Sequence, residues 1–250
     1  MATTTKKLSP LQEKLDVKSP AEAISHLNLL VYGDPGVGKT YLAATAQDNP
    51  ETSPVLFIDV EGGTTTIRKR KDVDVRRITK IADLIAIHEI LVDQNDGYYK
   101  TVVIDSLTEL QKVDMRDIMR ELVLRRPDLD PDVPGMREWG KSAEHVRRIV
   151  RGFRDLPVHT VFTALSQVER DENGVVTYYP SVPGKLKMEI PGFMDIVGYL
   201  SSTIENDETQ RRIQFAKTRR VIAKDRTGAL GDVVDFPTIP LLWNLINENQ

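Results

Sequence analysis

Eight consecutive residues, GDPGVGKT from Gly33 to Thr40, follow an apolar run over residues 27–32. Gly33, Gly36 and Gly38 can take positive φ and let the backbone come close to a ligand. Successive N–H groups in such a loop turn inward and form a concave seat for an anion. Lys39 adds a point charge suited to the β- and γ-phosphates of a nucleotide, and the Thr40 hydroxyl is placed to hold Mg²⁺. Asp34, Pro35 and Val37 complete the loop and Tyr41 follows it, so Gly33 to Tyr41 is the stretch expected to touch ATP.

Such a loop needs carboxylates around it. The apolar run TVVID ends in Asp105, which is expected to hold the Mg²⁺ together with Thr40; Ser106 follows. A second apolar run, LFIDVEGG, carries Asp59 and Glu61. The run is expected to form the strand beside the one that precedes the glycine loop, and a carboxylate at its tip points into the opening where ligands bind in open α/β sheets. Glu61 is therefore the expected group to polarise an attacking water.

These residues must be presented by alternating strands and helices. Strands are expected over residues 27–32, 55–60, 101–105 and 158–165, with a shorter one near 73–78. Helices are expected over residues 39–47, 81–94, 107–124 and 141–153; in the second of these Ile81, Leu84, Ile85, His88 and Leu91 share a face. Residues 127–140 read as a Pro/Gly-rich loop. This order predicts an α/β fold, a mostly parallel sheet flanked by helices. Beyond Gln167 the pattern turns to antiparallel hairpins, and Asn173-Gly174 between alternating runs predicts a type I′ turn. The 250 residues divide into a polar arm (1–24), a core (25–236) and a tail (237–250). There is no cysteine, which excludes disulfides and thiolate chemistry and fits a cytoplasmic protein. No apolar run is long enough for a membrane span. The net charge of −3 carries no global sign of nucleic acid, so any such site must be local.

The succession GDPGVGKT, LFIDVEGG, VVIDSL, VFTALSQ resembles the RecA-like P-loop NTPase core. The resemblance spans about residues 27–232. It implies Glu61 as the catalytic carboxylate, Asp105 with Ser106 as the Walker B end, and Gln167 as a sensor of the γ-phosphate, with Ser166 as a second candidate. A glutamate directly after the Walker B aspartate, usual in many AAA+ machines, is absent. The size and layout are similar to the phage-encoded minimal RecA-like proteins that anneal single strands. That likeness implies single-stranded DNA as a partner, a homo-oligomer in ring or filament form, and a single-strand-binding protein as a further partner. Two loops would then face DNA. The first offers Arg125, Arg126, Arg137 and Trp139; the second offers Arg170, Tyr178, Tyr179, Lys185 and Lys187. Cations meet phosphates and aromatic rings stack on bases. Lys224 and Arg226 resemble the paired cations that such ATPases extend into a neighbour's nucleotide, from an exposed turn. A loader-like ATPase acting on a protein partner and a small-molecule P-loop kinase remain open beside this reading.

Overall fold

A computed structural model describes residues 26–248 and, before them, residues 9, 11, 14, 15 and 17. The expected arm over residues 1–24 otherwise lies outside the described residues.

The first strand, β1 (Asn28–Gly33), is buried on both faces and leads into the glycine loop and helix α1 (Lys39–Ala44), which continues as a 3₁₀ turn (Thr45–Asp48). Strands β2 (Val55–Asp59) and β3 (Asp74–Arg77) precede α2 (Ile81–Gln94). Strand β4 (Thr101–Asp105) precedes α3 (Leu107–Arg125) and α4 (Met136–Arg154). Then come β5 (His159–Arg170), β6 (Val176–Pro180), α5 (Leu186–Phe193), β7 (Ile196–Glu205), β8 (Glu208–Gln214), β9 (Lys224–Asp225), β10 (Val233–Asp235) and α6 (Ile239–Glu248).

Among the described residues the ten strands form one sheet in the order β10-β8-β7-β1-β5-β4-β2-β3, with β6 added to β5 and β9 to β7. From β3 across to β7 every neighbouring pair is parallel; β8, β9, β10 and β6 join antiparallel. This is an α/β sheet, mostly parallel, with antiparallel strands toward the C-terminus; β2 does not adjoin β1 as expected, because β5 and β4 lie between them. Alternate residues of a strand point to opposite faces, and the chain uses both. Leu30 and Tyr32 enter a core roofed by α2, α3, α4 and α5. Leu29 and Val31 enter a second core closed by α1 and α6.

Several local expectations are corrected. Helix α4 begins at Met136, so residues 136–140 are helical: the Gly135 N–H donates to the Glu138 carboxylate (3.0 Å) and starts the helix before the basic stretch. Ile85 is 44% exposed, because α2 is buried through Ile81, Leu84 and Leu91. The β5–β6 hairpin exists, but Gly174 alone has positive φ (78°) and Asn173 does not. The Asp171 carboxylate accepts the N–H groups of Asn173 and Val175, giving a three-residue connection with a left-handed glycine in place of a type I′ turn. Strand β7 has no counterpart among the expected strands; its first half pairs parallel with β1 and only its second half is a hairpin arm. Residues 239–248, expected as tail, form a helix that buries Ile239, Leu242 and Ile246.

Candidate active site

Strand β1 ends at the glycine loop, and the three glycines serve different ends. Gly36 and Gly38 hold φ of 80° and 103°, which other residues adopt only at a cost. Gly33 is extended; a Cβ there would lie 2.1 Å from the Leu200 carbonyl oxygen, so this glycine lets β1 and β7 close up. The Lys39 ammonium is buried, donating to the carbonyls of Gly33 (2.9 Å) and Asp34 (2.8 Å) inside the loop. Burial pulls its pKa down, while the carboxylates of Glu61, Asp105 and Asp34 oppose that shift.

At the end of β4, Asp105 is 1% exposed. One carboxylate oxygen accepts the Thr40 hydroxyl (2.8 Å) and the other accepts the Thr163 hydroxyl of β5. Burial raises its pKa, the Thr163 and Thr40 hydrogen bonds lower it, and the charges of Glu61 and Asp59 raise it further. A buried carboxylate and a hydroxyl in contact supply two hard oxygen ligands. That suits Mg²⁺, which takes one or two protein ligands and completes its shell with phosphate and water.

The end of β2 is tied to the end of β4. The N–H groups of Val60 (2.8 Å) and Glu61 (3.1 Å) both donate to the Asp105 carbonyl. Glu61 Oε2 accepts the Ser106 hydroxyl (2.9 Å), and the Ser106 oxygen also accepts the Glu109 N–H (3.4 Å) at the start of α3. A Cβ on Gly63 would lie 3.6 Å from both Asp105 Oδ2 and Thr40 Oγ1. The expected water-polarising carboxylate thus belongs to a turn that sits against the Thr40–Asp105 pair.

Two parts of the site carry no sequence motif. Thr163 is one, although a hydroxyl inside the buried run VFTAL is a local flag, since buried polar groups need partners. The other is a cavity of about 190 Å³ beside Gly38, lined by Tyr41, Leu42, Leu200, Arg211, Phe236 and Pro237 among others. Arg211 of β8 donates to the Val37 carbonyl (3.1 Å). Tyr41 and Phe236 are 56% and 61% exposed, and Phe236 has φ of 45°. Nothing in the sequence joins Arg211 and Phe236 to a loop some 170 residues earlier.

The remaining candidates divide. Ser166 reaches the glycine loop, donating to the Asp34 carboxylate. Gln167 therefore faces the other way, opposite Tyr179 in the β5–β6 pairing, and β5 runs on past it to Arg170. Tyr178 is not a free platform: its ring packs on Tyr199 (5.0 Å between centroids) and its carbonyl accepts the Tyr32 hydroxyl (3.1 Å). Tyr179 lies on the opposite face, with the Lys187 ammonium 5.2 Å from its ring, and Lys187 pairs with Glu169. Arg170 and Lys185 are exposed at the two ends of this unit, so the second expected loop is an ordered hairpin followed by α5. In the first loop, Arg125 and Arg137 are exposed, and Arg126 pairs with Asp128 (3.4 Å). Trp139 lines a groove with Met115, Met119, Val123 and Leu124.

Lys224 and Arg226 do share a side, and Arg226 is exposed, but both cations are engaged within the chain. Lys224 donates to the carbonyls of Pro191, Gly192 and Met194, and Arg226 pairs with Asp195 (3.1 Å). They close the C-terminal end of α5, where carbonyls lack helical partners. The burial this entails lowers the Lys224 pKa, aided by Arg226 and opposed by Asp195. Asp225 between them points away, accepting from Thr227 and from the Leu230 N–H.

No curated protein matches this sequence. Among solved structures, a KaiC-like protein from the hyperthermophilic archaeon Pyrococcus horikoshii OT3 is similar at 18% identity, over 84% of this chain and 89% of that one, with a TM-score of 0.48. The AAA domain family matches residues 25–227, which takes in the glycine loop, both carboxylate-bearing strand ends and the hairpin. The chain therefore belongs to the AAA domain family, as a P-loop ATPase built on a mostly parallel sheet.

Proposed function

We propose that this protein hydrolyses ATP with Mg²⁺ and that Glu61 positions the attacking water. The observation that carries this reading is the meeting of Lys39, Thr40, Asp105 and Glu61 at one end of the parallel sheet, with Thr40 and Asp105 2.8 Å apart and Glu61 on the adjoining turn. When bound, the Mg²⁺ would neutralise charge on the phosphates. The chain's own groups do the rest. The glycine loop surrounds the phosphates with N–H groups, Lys39 supplies positive charge, and Glu61 orients a water once it leaves Ser106. The cavity lined by Tyr41, Arg211 and Phe236 lies beside Gly38 and offers two exposed rings to the base. Lys39→Ala is expected to remove most nucleotide binding. Glu61→Gln is expected to keep nucleotide affinity and lower turnover by about 100-fold or more, the usual contribution of a positioned base. Fluorescent-nucleotide binding and phosphate release measure the two; wild-type turnover in Glu61→Gln would overturn the assignment.

The nucleotide state is proposed to govern binding of single-stranded DNA by the β5–β6 hairpin, in the service of strand annealing or recombination in the cytoplasm, as in phage-encoded minimal RecA-like proteins. What supports this is continuity. The strand that donates Thr163 to Asp105 and Ser166 to Asp34 continues without a break to Arg170 and the hairpin bearing Tyr179. Anisotropy of labelled single-stranded DNA, with and without ATP, tests it. Binding that ignores nucleotide, or no binding, would favour action on a protein partner. The groove along α3 supports that second reading, since Leu124 and Trp139, which line it, are both exposed.

A further inference from the structure

We infer that Arg77, Asp59 and Thr64 form a latch that holds the Glu61 turn in its working position, with Arg77 as a positioning residue on the edge strand. The inference rests on the catalytic reading of Glu61 given above.

Asp59 is the last residue of β2 and 2% exposed. Its main chain continues the sheet, accepting the Ile78 N–H (3.0 Å). Its carboxylate instead turns forward into the loop. Oδ1 accepts the Gly62 N–H (2.6 Å) and Oδ2 accepts the Thr64 hydroxyl (3.2 Å). Oδ1 also faces the Arg77 guanidinium at 3.0 Å. The residues held lie on either side of Glu61: Asp59 before it, Gly62 and Thr64 after it. The Glu61 N–H is itself fixed on the Asp105 carbonyl. The backbone of the turn therefore has little freedom, and the glutamate side chain is left to move between Ser106 and a substrate water.

Arg77 completes the arrangement from outside. It ends β3, the edge strand, level with Asp59 in the parallel pairing. Its guanidinium passes over Gly62 so closely that a Cβ there would lie 2.7 Å from Nη1. Gly62 holds φ of 88°. The glycine is required for its backbone angle, and with no side chain it also leaves room for the arginine. A charge buried as deeply as Asp59 needs a partner, and Arg77 supplies one while remaining 47% exposed itself. An ordinary edge-strand arginine would face solvent and touch nothing near the phosphate end. The geometry here commits the cation to the turn that carries the catalytic carboxylate.

A group placed about 1 Å off its working position costs a reaction on the order of 100-fold. Arg77→Gln is therefore expected to lower kcat by about ten- to 100-fold while the affinity for a slowly hydrolysed ATP analogue stays within about twofold. Arg77→Lys should recover part of the loss, since it keeps the charge and loses the fork. Thr64→Val, which leaves the edge strand and its charge intact, should lower kcat in the same direction with unchanged nucleotide affinity. The deciding measurement is the pair Glu61→Gln and Glu61→Gln/Arg77→Gln. If Arg77 acts through Glu61, the double variant is no slower than Glu61→Gln alone. Multiplying losses, or wild-type kcat in both Arg77→Gln and Thr64→Val, overturn the latch. Wild-type turnover in Glu61→Gln is a separate outcome: it removes the catalytic reading on which the latch depends.

Discussion

His159 shows how burial, more than any other cause, can set the protonation state of a side chain. Its Nδ1 accepts the Leu27 N–H (3.1 Å), and its ring lies edge-on to Trp243 at 4.5 Å and to His26 at 5.5 Å. Burial first, and then His26, lowers its pKa from 6.5 to about 4, against an opposing pull from Glu51. An acceptor Nδ1 also requires the unprotonated nitrogen. The unfolded chain takes up a proton near pH 6.5 and the folded chain only near pH 4, so stability is full above pH 6.5 and falls as pH drops toward 4. The loss attributable to this residue approaches about 3 kcal/mol, since each tenfold difference in proton affinity between the two states is worth about 1.4 kcal/mol. Melting temperatures of wild type and His159→Phe measured between pH 7.5 and pH 4.5 check it. The wild type should lose more stability over that range, and parallel curves would show that His159 does not titrate as described. At the nucleotide end the same physics acts on Asp105, where two threonine hydroxyls oppose the effect of burial. Thr40 was legible in the sequence because its spacing from Lys39 is a pattern. Thr163 was not, because what defines it is the parallel register that sets β4 beside β5.

The β5–β6 hairpin is the element whose expected role changed most in detail. A two-residue turn at Asn173-Gly174 would have extended the ladder to Glu172. The Asp171 carboxylate instead gathers the turn N–H groups and leaves Arg170 at the end of pairing. Pairing also sorts the aromatic residues: Tyr178 turns to Tyr199 and the core, and Tyr179 turns outward under Lys187. If single strands bind here, the exposed cations are Arg170 and Lys185. Lys187 is already matched by Glu169. Removing both exposed charges, Arg170→Gln with Lys185→Gln, should weaken binding and reduce the slope of log affinity against log salt by about 1.4, roughly 0.7 for each single-strand phosphate that is no longer neutralised. Anisotropy at several salt concentrations measures this, and an unchanged slope would place the DNA elsewhere. Lys224 and Arg226 teach a related lesson. Their spacing did put them on one side, but the partners waiting there are the open carbonyls at the end of α5, which no reading of the segment AKDRTG could reveal.

The molecule as a whole is a sheet sealed on both faces, and its last helix is part of the seal. Ile239, Leu242 and Ile246 enter the core behind β1, and the Ile239 N–H donates to Thr45 Oγ1 (2.8 Å) just after the helix that follows the glycine loop. Three buried aliphatic side chains stabilise by roughly 5–9 kcal/mol, comparable to the whole stability of an ordinary domain. A chain ending at Pro237 is accordingly expected not to fold cooperatively, with circular dichroism and nucleotide binding as the measurements; a truncated chain with wild-type melting would show that the helix is dispensable. Among the described residues no helix is long and apolar enough to cross a membrane. Local signals were sufficient wherever one stretch of chain makes its own structure: the glycine loop, the buried strands β1, β2, β4 and β5, the helices α2 and α3, and the positions of the carboxylates at the tips of β2 and β4. Those signals depend on periodicity and on neighbours within a few residues, and both are written in the sequence. Tertiary structure alone decided which distant groups meet them. It set β7 parallel beside β1, brought Arg211 and Phe236 to Gly38, aimed Ser166 and not Gln167 at Asp34, and laid Arg77 across Gly62. Each of these depends on strand order and register, which follow from the packing of two cores at once and which no short stretch of residues encodes.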